Sequence, residues 1–350
     1  MKKFLSIIMA LVTSNSLGAY NFKVGDLYYN ITSNNAPYTV EVTYELASAP
    51  EHPLDNYLGL TDIIIPESVT YSGITYSVTS IGAEAFCDCT SLTSIAFPNS
   101  ITTIGVYAFS GCTSLHTLNI PEDVTTIGAE AFSKCASLSG NIKIPNGVTN
   151  IATGVFGGCS SLTSIAIHNN VTSIEDYAFN GCTSLTSINI PDGITSIGEY
   201  VFYNCTSLPS ITLPDGVTSI GTMAFGHCSS LASITIPNGV TTIEAWAFSY
   251  CSGMTSVTCK ANTPPTVKTR AFFEVPVNIS VYVPCESLVE YQNSEEWSYF
   301  TNIQCMSEEG SAVENTHSPS PTSIYQKQIK DGQLLILHNG NTYNITGQEL

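Results

Sequence analysis

Hydrophobic and polar positions repeat along the middle of this chain with one fixed pattern. In the copy from Pro121 to Ile144 the apolar positions are Val124, Ile127, Ala131, Phe132, Cys135, Leu138, Ile142 and Ile144. Ser, Thr, Gly and acidic residues fill the gaps between them. Ile142 and Ile144 alternate around Lys143, which is strand spacing. Phe132, Cys135 and Leu138 recur every third residue, which predicts a short helical or 3₁₀ turn. Gly128 follows the "TTI" run where the chain has to turn, and it is expected at positive φ. Pro145 ends the strand because it has no N–H for the ladder. One unit is thus predicted to be a short strand, a bend, a second extended piece and a helical turn.

Eight copies run in register. Cys89, Cys112, Cys135, Cys159, Cys182, Cys205, Cys228 and Cys251 mark them, each three residues after a Phe, from Phe86 to Phe248. A fixed period of this length predicts a solenoid, because one unit cannot bury its own apolar face and stacked units share a core. Strands paired at about 4.8 Å give a rod roughly 40 Å long, with the "LxxIxI" strands forming a parallel sheet along one side. Such a molecule offers faces more than pockets.

These residues carry a resemblance. The pattern "IPxxVTSIGxxAFxxCxSLxS" resembles BspA-type leucine-rich repeats, and Ile190 to Pro237 matches it nearly position for position. The resemblance covers about Ile63 to Tyr282. It implies a leucine-rich-repeat solenoid on a secreted or cell-surface protein of the kind often assigned to adhesion. It implies no catalytic residue, because the pattern contains none.

The predicted binding surface is the strand face. Its outward residues are Thr117 and Asn119, Ser164 and Ala166, Ser187 and Asn189, Ser210 and Thr212, and Ser233 and Thr235, with Lys143 breaking a small, neutral pattern. A flat polar ladder of this kind suits an extracellular protein or glycan. The plainer reading of each residue singly is that Ser and Thr are good exposed strand formers. A spacer without a dedicated ligand is the alternative to adhesion, and an extracellular hydrolase is a distant third.

No catalytic constellation stands out. The six His residues share no metal-site spacing, no GxSxG elbow occurs, and no Asp-rich calcium loop is present. Neither a metal nor a cofactor is called for. The ladder Cys residues read as buried thiols acting as small hydrophobes. Cys285 and Cys305 flank the last segment, where either a bridge or two thiols fits the spacing.

The remaining segments complete the organisation. Residues 1–19 read as a secretory signal, with Lys2 and Lys3, an apolar run from Phe4 to Val12, and Leu17-Gly18-Ala19 before the cleavage site. Residues 20–60 alternate around "NNAP" as a β-hairpin that caps the first coil. The repeats occupy 61–258. Residues 259–306 form a degenerate ninth coil and a C-terminal cap, with Trp297 and Phe300 available to cover the open end. Residues 307–323 are Ser-, Pro- and Glu-rich and predict a disordered linker. Residues 324–350 predict a hairpin in which 334–337 pairs with 342–345 across an Asn-Gly turn. That tail resembles a short C-terminal element of exported bacterial proteins, which implies a sorting or attachment tag; a plain terminal hairpin fits it nearly as well.

Charge narrows the partners. The chain has 10 Lys plus Arg against 28 Asp plus Glu, a formal net charge of −18, and loss of Lys2 and Lys3 would deepen it. Such a balance disfavours nucleic acid and anionic membranes. The apolar run near the N-terminus is too short to span a bilayer, so no membrane insertion of the mature chain is expected.

Overall fold

The structure is a computed structural model. It describes residues 20–44, 57 and 59–306, together with the strand segments 326–330, 333–338 and 341–343. The expected signal (1–19), linker (307–323) and part of the cap lie outside the described residues. The chain divides into two compact units, Met1–Met306 and Ser307–Leu350.

The first unit is a solenoid whose coils carry up to two short parallel strands and a turn segment. One ladder uses the "LxxIxI" pieces, as in Ser210–Thr212, Ser233–Ile236, Ser256–Cys259 and Ser280–Val283, paired in register from Ser210↔Ser233 to Val257↔Val281. The second uses the "TSI" pieces, as in Ser196–Ile197, Ser219–Ile220, Thr242–Ile243 and Thr266–Val267. The sequence anticipates a single sheeted side, whereas both extended pieces pair with their neighbours. Parallel pairing follows because each strand returns one full coil later.

Between the ladders a row of phenylalanines fills the axis. Phe86, Phe109, Phe132, Phe156, Phe179, Phe202, Phe225 and Phe248 are fully buried, and Phe272 continues the row. Successive centroids lie 5.1–6.1 Å apart with the planes nearly parallel. The ninth coil thus keeps its ring, although buried Val275 stands at the cysteine position. Offset aromatic stacking adds to the area buried.

The turn segment differs from the expected 3₁₀ helix. Residues two before and two after each Phe have positive φ, such as Glu130 at 51° and Lys134 at 59° around Phe132. Left- and right-handed residues therefore alternate. The N–H groups of Glu130, Phe132 and Lys134 all donate to the following coil, at Thr153, Val155 and Gly157. A 3₁₀ run would keep those bonds within its own coil; here they tie coil to coil. Gly128 is not at positive φ. Its added Cβ would stand 2.5 Å from the Val106 nitrogen, so the glycine serves close approach of backbones and not an unusual dihedral.

Both ends are covered. At the start, β1 (Phe22–Val24), β2 (Leu27–Ser33) and β3 (Thr39–Thr43) form an antiparallel meander. The strand β3 then pairs in parallel with Ile74–Ile81, extending the second ladder by one strand. Tyr57 lays its ring 4.9 Å from Phe86 and donates its hydroxyl to the Thr43 carbonyl. At the far end, helix α1 (Leu288–Asn293) and a 3₁₀ turn, Trp297–Tyr299, bring buried Trp297 and Phe300 onto Phe272. The Trp297 indole donates to the Pro265 carbonyl at 3.0 Å. Burial of these aromatics removes the open ends that a solenoid otherwise exposes.

In the second unit, Gln326–Lys330, Gln333–His338 and Asn341–Tyr343 form an antiparallel meander. Leu337 opposes Thr342, in line with the turn expected there, and a third strand joins the expected pair.

Candidate binding faces

The strand face is built from residues opposite the buried isoleucines. Thr117, Asn119, Ser187, Asn189, Ser210, Thr212 and Ser233 are exposed, while Ser164, Ala166 and Thr235 are half-buried. Coil-to-coil register aligns them: Ser164 faces Ser187, Ser210 faces Ser233, and Thr212 faces Thr235. They do not share one role. Asn189 is spent on the backbone, its amide donating to Ile167 O at 2.6 Å and its carbonyl accepting from Ile167 N. Ser164 donates to the Asn141 side chain. The side chains of Ser187, Ser210, Thr212, Ser233 and Thr235 make no bond to neighbouring coils. Lys143 pairs with Glu122 on this side, with both side chains more than half exposed.

Much of the remaining Ser and Thr has a structural job. The hydroxyls of Thr163, Thr186 and Thr255 donate to carbonyls 23 residues earlier, at Gly140, Thr163 and Ala232. The same bond recurs beside the second ladder, from Thr125 to Thr102, Thr172 to Thr149, and Thr241 to Thr218. A hydroxyl that satisfies a neighbouring carbonyl favours Thr over an aliphatic residue at these positions.

The thiol ladder is bonded in the same sense. Each Cys from Cys112 to Cys251 places Sγ 3.0–3.3 Å from the carbonyl oxygen of the Phe one coil earlier. The side chains therefore act as donors as well as small hydrophobes. Burial pushes the thiols of Cys135, Cys182 and Cys228 up to about 12. Cys285 and Cys305 are both exposed, and Cys285 Sγ lies 3.5 Å from the Met306 carbonyl oxygen. Among the described residues no cluster of His, Cys, Asp or Glu is arranged to hold a metal. Among them also, no helix is long and apolar enough to cross a membrane.

The turn edge holds a feature the sequence reading missed. From Tyr177 onward a chain of rings crosses five coils. Tyr177 stacks on Tyr200 at 4.8 Å, Tyr200 meets Tyr203 at 5.5 Å, and Tyr203 meets His227 at 5.3 Å. His227 stacks on Tyr250 at 4.4 Å, Tyr250 meets Phe273 at 5.5 Å, and Phe273 meets Trp246 at 5.6 Å. All are exposed or half-buried. Tyr177, Tyr200, His227, Trp246 and Tyr250 sit at the positive-φ positions of their coils. Equivalent positions elsewhere hold Gly111, Gly154, Gly158 and Gly181. A left-handed non-glycine residue costs roughly 1–2 kcal/mol, so rings at these sites are not the cheap choice. The signal lay in view: copies aligned on Phe show Tyr, Trp or His accumulating two residues before it, and one or two after, from the fifth copy onward.

Just ahead of the ribbon lies a shallow groove of about 330 Å³, lined by Glu130, Lys134, Gly154, Gly158 and Tyr177 among others. Glycines leave its floor without side chains. Between Lys143 and Lys260 the sequence contains no Lys or Arg, while Glu175, Asp176, Asp192, Glu199, Asp215 and Glu244 fall within that span.

The fold is thus a repeat solenoid with a continuous core and extended outer faces. The model of the BspA-type leucine-rich repeat region matches residues 59–186 and 172–294, in six copies. The chain therefore belongs to the BspA-type leucine-rich repeat family. Among solved structures it is similar to a leucine-rich repeat protein of T. pallidum, at 27% identity over 59% of this chain and 87% of that one, with a TM-score of 0.49. It is also similar to a leucine-rich cell surface protein of Faecalibacterium prausnitzii, at 21% identity over 85% and 96% of the two chains, with a TM-score of 0.37. The pneumococcal vaccine antigen PcpA is similar at 15% identity over 87% and 100%, with a TM-score of 0.42. No curated protein matches the chain.

Proposed function

We propose that this chain is a secreted or cell-surface adhesion protein without catalytic activity, which binds an extracellular protein or glycan through its strand face. The observation that carries this reading is the set Ser187, Ser210, Thr212, Ser233 and Thr235, of which Ser210 and Thr212 pair in register with Ser233 and Thr235, and whose hydroxyls are not spent between coils. A polar ladder repeated at strand spacing presents many equal, weak contacts along one line, and such contacts sum to avidity. Family membership supports a binding role.

A spacer role is the second reading. It is favoured by the Thr163, Thr186 and Thr255 bonds, which account for part of the Ser and Thr content by stability alone. One experiment separates the two. The full chain is immobilised and its retention of matrix proteins and glycans is compared with that of a variant carrying Lys at the five face positions. Adhesion predicts retention that falls at least about tenfold in the variant. Equal retention by both chains, or none by either, contradicts it.

A further inference from the structure

We infer that the aromatic ribbon on the turn edge is a second binding surface, separate from the strand face, and that its occupant is an arginine- and lysine-rich segment of an extracellular protein. Three independent observations converge on it. The first is composition: Tyr, Trp, His and Arg in contact with one another, exposed, are the residue types that dominate protein-binding hot spots. Tyr177, Tyr200, His227, Trp246 and Tyr250 stand at left-handed positions that other coils fill with Gly, Glu, Asp, Lys, Asn or Met, so the turn itself does not call for a ring there.

The second is charge. From Tyr177 to Tyr250 the ribbon lies within the stretch between Lys143 and Lys260 that contains no Lys or Arg. Asp176 and Glu199 adjoin Tyr177 and Tyr200 in sequence, and the Asp176 carboxylate accepts the Glu199 N–H at 2.7 Å, which holds the two acids together beside the rings. A partner with an anionic surface, sulfated glycans included, is repelled there, and a cationic one is drawn in.

The third is an internal example of the contact. The Arg270 guanidinium, which closes the C-terminal end of the ribbon, lies 5.0 Å from the Trp246 ring centroid and 5.3 Å from that of Phe273. These rings already take one guanidinium by cation–π attraction. Farther along, Tyr203 and Tyr250 offer ring faces of the same kind. Phenol oxygens at the ring edges supply acceptors for the N–H groups of arginine.

The test uses the full chain and a fluorescein-labelled synthetic peptide of alternating arginine and serine, read by anisotropy in about 0.15 M salt. Matched peptides carrying glutamate or glutamine in place of arginine serve as comparisons. The ring variant Y203A/Y250A leaves net charge unchanged, and Y203L/Y250L keeps apolar bulk should the alanine form unfold. The expected result is saturable binding of the arginine peptide, weakened at least about tenfold in both ring variants. The lysine-substituted strand-face variant, if its added charge is matched by acidic substitutions elsewhere on that face, is expected to bind as the parent does. Undiminished binding to the ring variants would show attraction by net charge alone and overturn the proposal. Equal binding of the glutamine peptide, or no binding of the arginine peptide, would overturn it as well. Failure here leaves the strand-face reading standing, since the two surfaces are altered separately.

Discussion

The thiol of Cys182 lies 3.2 Å from the carbonyl oxygen of Phe156, one coil earlier. The same oxygen accepts the N–H of Cys159 within its own coil at 3.1 Å. One carbonyl therefore closes the local turn and holds the next coil. This double use explains why the repeat places a cysteine at a core position where alanine or valine would fill space without donating.

Cys182→Ala removes that donor and leaves a small cavity in a fully buried site. We expect a loss of about 1–3 kcal/mol, read as a lower urea midpoint. Cys305→Ala, at an exposed position, serves as the comparison and is expected to change the midpoint little.

The ladder also makes stability depend on alkaline pH. Burial raises the thiols of Cys135, Cys182 and Cys228 from the ordinary 9.0 to about 12. Below pH 9 the thiol is neutral in both folded and unfolded chains, so the contribution is fully present. Above pH 9 the unfolded chain releases protons that the folded chain keeps, and stability falls until the folded thiols ionise. Unfolding midpoints are expected to be flat to about pH 8.5 and to drop steeply beyond pH 9. A midpoint that rises between pH 9 and 11 would contradict this.

Glu175 gives an acid-side dependence of the opposite sense. Its carboxylate accepts the Thr153 hydroxyl at 2.7 Å, the Asn150 amide at 2.6 Å and the Thr153 N–H at 2.9 Å, tying two coils together. The Thr153 and Asn150 side-chain bonds hold its pKa below the ordinary 4.5. The contribution is present above that ordinary value and lost as pH falls through the lower folded one. Glu175→Gln is expected to cost about 1–2 kcal/mol at neutral pH. Denaturant titrations of both chains should converge as pH falls below 4.5 and through the lower folded value, where the parent carboxylate protonates as well.

Trp297 tests the end cap. It is fully buried against Phe272 and Tyr291 and anchored by its bond to the Pro265 carbonyl. Trp297→Ala is expected to cost about 3–5 kcal/mol. Hydrogen exchange should show the loss concentrated in the last coils, with the coils around Phe132 protected as before, because each coil contacts only its neighbours.

The repeat and its inward residues were legible because period and burial are written directly in the apolar positions. Phe132, Cys135 and Leu138 announced one interior. What escaped was the conformation of the turn, because spacing by three fits a 3₁₀ helix and also the alternating left- and right-handed segment found here. Only Gly111, Gly154, Gly158 and Gly181 marked the left-handed positions, and Glu130, Tyr177 and Trp246 hid the rest. Gly128 misled in the other direction, since a glycine chosen for close backbone approach looks the same in sequence as one chosen for its dihedral. The aromatic ribbon escaped for a related reason. Its members come from different copies, and contact between Tyr203 and His227 exists only after the coils stack.

Stacking itself is open to a direct measurement: alkylation of the native chain with iodoacetamide at about pH 8, followed by peptide mass spectrometry. The exposed Cys305 should be modified, while the eight ladder thiols from Cys89 to Cys251 and the buried Cys259 should stay unmodified until denaturant is added. Modification of several ladder thiols in the folded chain, at rates comparable to Cys305, would contradict a common interior.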